Sequence, residues 1–153
     1  KTALMEDGRV TQFGPTADIY RNPANLSAAR VFSDPPINAA EITKSGSTAA
    51  LGNHASWPLA GEAAALPDGT YTIAVRPHRV LPQPSGPAQV ALKGNVIVTE
   101  LSGSDSSAHF RMGGTDWVSL ASGVHPYKVG EDRTIYMDPT HCRYFGTDGQ
   151  RVA

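Results

Sequence analysis

The chain has 153 residues, 40% of them hydrophobic and 18% charged, which suits one substantial domain, or two small lobes sharing a core, and excludes wholesale disorder. Thirteen Lys and Arg against fourteen Asp and Glu give a formal net charge of -1, so no global field draws the chain to DNA or to an anionic membrane. No apolar run approaches the ~20 residues that cross a bilayer, no basic-then-apolar leader opens the sequence, and a lone Cys142 rules out an internal disulfide and fits a reducing compartment.

In chain order, Glu6-Asp7-Gly8-Arg9 predicts a hairpin turn, because Asp-Gly supplies the positive φ of tight turns, with Leu4-Met5 and Val10 to Phe13 as flanking strands. A two-stranded ribbon is marginal alone. It is therefore expected to belong to a sheet supplied from elsewhere, and to fray, rearrange or pair with a second copy without it. Thr16 is the expected N-cap of a helix over 17–21, stopped by Asn22-Pro23, and a second helix is expected from Leu26 to Ser33. Asp34-Pro35-Pro36 then ends helix and starts extended chain.

Beyond Pro36 helix signals nearly vanish and short β-branched runs alternate with turn residues, in a chain holding 15 Gly and 12 Pro. The clearest strands are Tyr71 to Arg76, with Tyr71, Ile73 and Val75 on one face, and Val90 to Glu100, interrupted by Gly94, where a strand bends or bulges. Ala108 to Met112 and Asp116 to Leu120 read as a hairpin joined by Gly113-Gly114. Thr134 to Met137 and Arg143 to Phe145 add two more strands, Thr147 to Gln150 reads as a turn, and weaker strands lie at Glu41 to Thr43, Ala49 to Leu51 and Trp57 to Leu59. Eight to ten short strands with a corner glycine predict a mainly β fold, an OB-like Greek-key barrel or two barrel-like lobes of interleaved strands.

Chemistry-bearing motifs are sparse. None of the four lysines, Lys1, Lys44, Lys93 and Lys128, sits in a Gly-x-x-x-x-Gly-Lys-(Ser/Thr) loop, so no nest for β- and γ-phosphates is encoded. The five histidines, His54, His78, His109, His125 and His141, lack metal-ligand spacing and read as surface or hydrogen-bonding residues. His141 and Cys142 are adjacent, and adjacent strand residues point to opposite faces. Nothing marks a base for a Cys142 nucleophile, so it reads as a core residue. Ser102-Gly103-Ser104-Asp105-Ser106-Ser107 reads as a hairpin loop before an anion cradle. Single-stranded nucleic acid would need a positive groove with stacking aromatics. Arg76, Arg79, Lys93, Arg111, Tyr71, Phe110 and Trp117 are the only material for one, and most of those aromatics read as core.

The first thirty-eight residues carry a resemblance. An apolar strand, Gly8, Gln12 two residues before Gly14, Asp18-Ile19-Tyr20 ending a short helix, Pro23-Ala24-Asn25 and Asp34-Pro35-Pro36-Ile37-Asn38 follow in order. This stretch resembles the end of the ATPase domain of ATP-binding cassette importers, in the branch similar to the maltose and glycerol-phosphate subunits. The family usually reads Gly-Thr-Pro where this chain has Gly14-Pro15-Thr16. The likeness continues more loosely through Arg76-Pro77-His78-Arg79, where the family's Arg-Pro-Glu-His has lost its acid, then Gly94-Asn95-Val96, Glu100-Leu101, Gly103, His141, Phe145, Asp148 and Gly149.

The resemblance implies residues 1–36 as the end of an ATPase domain with its linker, and residues 37–153 as a tandem OB-like (TOBE) regulatory domain. It implies a homodimer through the β domain, membrane permease subunits and regulatory proteins as partners, no nucleic acid, and a cytoplasmic place at the membrane periphery. ATP and Mg²⁺ are expected in the upstream ATPase domain and no cofactor, metal or catalytic residue in this segment, which begins at Lys1 and is expected to be a fragment. The import of carbohydrate, polyol or glycerol phosphate is the expected cargo class. Arg76, His78 and Arg79 are the expected polar cluster for a ligand or partner, either as surface or as part of an oxyanion or metabolite sensor.

Overall fold

The structure, a computed structural model, describes all residues 1–153. Strands β1 (Thr2–Glu6) and β2 (Arg9–Gly14) form the anticipated ribbon, turned by Asp7 and Gly8 at φ 49° and 76°. This ribbon forms a two-stranded sheet of its own and joins no larger one. Helices α1 (Thr16–Arg21) and α2 (Leu26–Val31) lie against one face, where Leu4 packs with Ile19, Ala28 and half-buried Phe32. Burying a Leu side chain is worth about 2 kcal/mol, enough to dock a ribbon on a helical pair that is itself anchored. Met5, Val10 and Phe13 share the opposite, exposed face.

The helix boundaries differ slightly from expectation. Pro15, extended at φ −59° and ψ 134°, occupies the N-cap position of α1, because its carbonyl accepts from the Asp18 and Ile19 amides. Thr16 is therefore the first helical residue, and its hydroxyl pairs instead with that of Thr2 at 2.7 Å. Asn25 caps α2 by accepting from the Ala28 amide at 2.7 Å, and α2 ends at Val31, two residues earlier than expected. Gln12 ties the ribbon to the linker between the helices: its Nε2 donates to the Asn22 carbonyl and its Oε1 accepts from the Ala24 amide.

The rest is β-rich. One sheet runs β12 (Arg143–Phe145), β6 (Gly69–Val75), β3 (Asn38–Ser45), β4 (Thr48–Leu51) and β5 (Ala55–Pro58), all antiparallel. The other runs β10 (Thr115–Ser122), β9 (Asp105–Met112), β8 (Val90–Ser102), β11 (Asp132–Met137) and the two-residue β7 (Val80–Leu81). A short helix α3 (Gly61–Ala65) and 3-10 turns at Pro77–Arg79 and Pro139–His141 fill the connections. The alanines of Glu62-Ala63-Ala64-Ala65 sustain α3 in a region that otherwise lacks helix signals.

Side chains complete what the ladders leave open. The edges of the second sheet, β10 and β7, meet where the Ser119 hydroxyl donates to the Val80 carbonyl at 2.6 Å, bending that sheet into a nearly closed, OB-like barrel. Asn38, at the start of β3, links the two sheets. Its Nδ2 donates to the Val118 carbonyl at 2.7 Å while its Oδ1 accepts from the Val118 amide at 2.6 Å. A buried side-chain amide thus acts as one more rung of the ladder.

Both sheets enclose a single core. Ile42, Trp57, Ile73, Val75, Leu92, Phe110, Trp117, Ile135 and Met137 lie within one cluster of 21 buried residues. The predicted face of Tyr71, Ile73 and Val75 points into it, and Ala74, on the reverse face of β6, packs with Ala29 and Phe145 beneath α2. Gly94 is not where β8 bulges. It pairs in regular register with Arg133, and Ile97 is the extra residue, between Val96 opposite Phe110 and Val98 opposite His109. Gly94 is needed for close approach instead: a Cβ there would lie 2.9 Å from Met112 Cγ and 3.0 Å from Phe110 Cβ.

Candidate functional site

The residue after β6, Arg76, turns back onto the helices. Its Nη1 donates to the Phe32 carbonyl and its Nη2 to the Tyr20 carbonyl, each at 2.7 Å, and its guanidinium stacks on the Tyr20 ring at 3.6 Å. These carbonyls belong to the last turns of α1 and α2, where helices leave acceptors unpaired. Burial, the largest effect, holds the Arg76 pKa below the ordinary arginine value. Pro77 is buried at the start of the following 3-10 turn, which leaves His78 and Arg79 exposed.

Strand β12 brings a second arginine to the same place. Arg143 lies opposite Ala74 in the β6–β12 pairing, and its Nε donates to the Arg21 carbonyl at 3.1 Å while its Nη1 donates to the Cys142 carbonyl. Between them runs a groove of about 410 Å³, lined by Arg21, Arg76, His78, Arg79, His141 and Arg143 among others. No carboxylate lines it. One acid stands beside it: Asp138 lies 3.7 Å from the Nε2 of His141, and against the effect of burial, hydrogen bonds from Thr140 and then the charges of His141 and Arg79 hold its pKa down, while none of the four arginines makes a salt bridge. Burial, then the charges of Arg79, Arg76 and His141, hold the His78 pKa below the ordinary histidine value.

Arg76, His78 and Arg79 therefore come together as their near-contiguity suggests, while Arg21, His141 and Arg143 join them unannounced. Only the β6–β12 pairing places Arg143 beside Arg76, 67 residues earlier in the chain, and no local pattern encodes that pairing. Elsewhere Phe110, Trp117, the serine loop and Cys142 lie as the sequence suggests. Phe110 and Trp117 are fully buried, so neither is a surface for stacking a base, and Arg111 is paired to Asp116 at 2.9 Å. The serine loop is a hairpin turn at Gly103 and Ser104, and the Ser106 hydroxyl donates to the Gly123 carbonyl. Cys142 is buried against Met137, and burial pushes its thiol up to about 12, so it is no nucleophile at neutral pH. A smaller cavity of about 220 Å³ between α3 and β12 contains Glu62 as well as Arg151 and lacks such one-sided charge.

Residues 73–145, from within β6 to the end of β12, match the TOBE domain family. The chain is 29% identical over 90% of its length to the sn-glycerol-3-phosphate import ATP-binding protein UgpC of Ruegeria pomeroyi, of which it covers 37%. It is 26% identical over 97% of its length to the UgpC protein of Cupriavidus metallidurans, covering 43% of it. An uncharacterised ABC transporter ATP-binding protein, YcjV of Escherichia coli, is 25% identical over 97% of the chain and covered to 42%. The chain spans about two fifths of the length of these relatives. Residues 73–145 form a TOBE domain, in a chain similar over nine-tenths or more of its length to ATP-binding subunits of ABC importers.

Proposed function

We propose that the chain is the regulatory, dimerising end of an importer's ATP-binding subunit, serving import of glycerol phosphate, a polyol or a carbohydrate. The similarity along nearly the whole chain to import ATP-binding proteins carries this reading, and the relatives named for sn-glycerol-3-phosphate favour that cargo class. ATP and Mg²⁺ then belong to the remainder of the longer protein, which docks on membrane permease subunits from the cytoplasmic side. Paired β domains keep two ATPase units together while they open and close, turning a bimolecular encounter into an intramolecular one, and leave outer surfaces for regulatory proteins. The exposed Val98, Leu101, Val124 and Val129 are the apolar material available for such pairing. Sedimentation equilibrium tests the idea directly: a monomer–dimer equilibrium in the micromolar range is expected, and a 16.1 kDa species alone at high micromolar concentration refutes it.

A second reading, a domain that senses a small anion, is favoured by one observation: four arginines around one groove with no acid among its lining residues.

A further inference from the structure

Four guanidinium groups sharing a groove without a carboxylate repel one another, and proteins relieve such repulsion with an acid or with a bound anion. Two of the four are held in place. Arg76 spends two of its five N–H donors on the Tyr20 and Phe32 carbonyls, and Arg143 spends two on the Arg21 and Cys142 carbonyls, leaving the others free. The side chains of Arg21 and Arg79 make no hydrogen bond or salt bridge and stand exposed at the rim. The arrangement has a fixed cationic floor and two exposed arms with free donors, and fork-shaped donors of this kind match the oxygens of a phosphate.

We infer that this groove binds a small phosphate-bearing anion, inorganic phosphate or a soluble phosphate monoester, between Arg76 and Arg143 on its floor and Arg21 and Arg79 at its rim. The inference deepens the anion-sensing reading above and rests on it, and it is independent of the paired-scaffold reading. The volume of about 410 Å³ exceeds what a bare phosphate fills, and Pro23 and Ile37 give its wall an apolar stretch for the organic part of a monoester. Arg21 belongs to α1 while Arg76, Arg79 and Arg143 belong to the β-rich part, so a bound anion bridges the helical unit and the barrel. Occupancy therefore tightens the docking of the ribbon and its helices on the TOBE domain.

Isothermal titration calorimetry of the 153-residue chain at low ionic strength, with inorganic phosphate, glycerol phosphate and glycerol, tests this. Saturable one-to-one binding of the two phosphates and none of glycerol is expected. Arg21→Gln and Arg79→Gln, which remove no contact of the folded chain, should each weaken binding about tenfold, the loss expected for one charge-assisted hydrogen bond. Circular dichroism checks that both variants remain folded. No saturable heat from either phosphate in the unaltered chain overturns both this site and the sensing reading. Undiminished binding in the double variant overturns the groove while leaving a sensor elsewhere. Glycerol binding as tightly as glycerol phosphate overturns the phosphate chemistry. Co-sedimentation with phosphatidic-acid vesicles, without heat from the soluble phosphates, overturns the assignment to a soluble ligand.

Discussion

Asn38 is fully enclosed, and both polar atoms of its amide are spent on the backbone of Val118, across the junction between the two sheets. Asn38→Ala removes both partners at once and leaves the Val118 N–H and C=O without them at a site shielded from water. Each orphaned buried group costs about 1–3 kcal/mol, so the substitution should destabilise the chain by about 2–6 kcal/mol. That is a large share of the ~5–15 kcal/mol that holds a typical domain. Asn38→Asp should cost a similar amount, because a carboxylate still accepts from the Val118 amide but cannot donate to its carbonyl, and brings a charge into the core. Urea unfolding followed by the fluorescence of Trp57 and Trp117, both in the enclosed core, measures the change. Asn95→Ala is the control: its amide makes two hydrogen bonds at a water-accessible rim, and its loss should cost under about 1 kcal/mol. If Asn38→Ala changes stability by less than about 0.5 kcal/mol at an unchanged urea slope, the side-chain rung is not what joins the sheets.

Gly94→Ala should destabilise by about 1–3 kcal/mol in the same assay, since the added methyl meets Met112 and Phe110 at or below 3.0 Å; a neutral result would mean that the β8–β9 packing yields freely. Stability should also fall in alkali. Burial raises the Cys142 thiol from its ordinary 9.0, and the Tyr144 phenol from 10.0, to about 12 in the folded chain. The unfolded chain therefore loses these protons first, and the stabilisation is complete below pH 9 and is lost as pH climbs from 9 towards 12. Urea midpoints between pH 8 and 11 should fall, and fall less steeply for Cys142→Ala; parallel slopes would refute the assignment to Cys142.

Much of the fold is written locally. Asp7-Gly8 and Gly113-Gly114 specify their turns because positive φ is open to few other residues, and the structure places those turns where the pattern puts them. Alternation in β6 chose its core face, because a strand has a two-residue period and one enclosed side. Where local signals compete, the structure departs from the simplest of them. Pro15 displaced Thr16 as the cap, since the preceding carbonyl and not the hydroxyl starts the helix, and the distortion of β8 fell on Ile97, where no glycine marks it.

The candidate site divides along the same line. Arg76, His78 and Arg79 were legible because they are neighbours in the chain, and Gln12, Asn25 and Asn38 were legible as parts of a resemblance. The sequence alone determined the β-rich class, the ribbon and helices before it, and the kind of protein this chain is similar to, all of which follow from short-range periodicity, turn chemistry and ordered motifs. Tertiary structure decided what those residues do: Gln12 and Asn25 fasten the linker, Asn38 joins two sheets, and Arg143 reaches Arg76 across 67 residues of chain. Such contacts depend on which strand edges meet, a choice made by the burial of one shared core and carried by no single stretch of the chain.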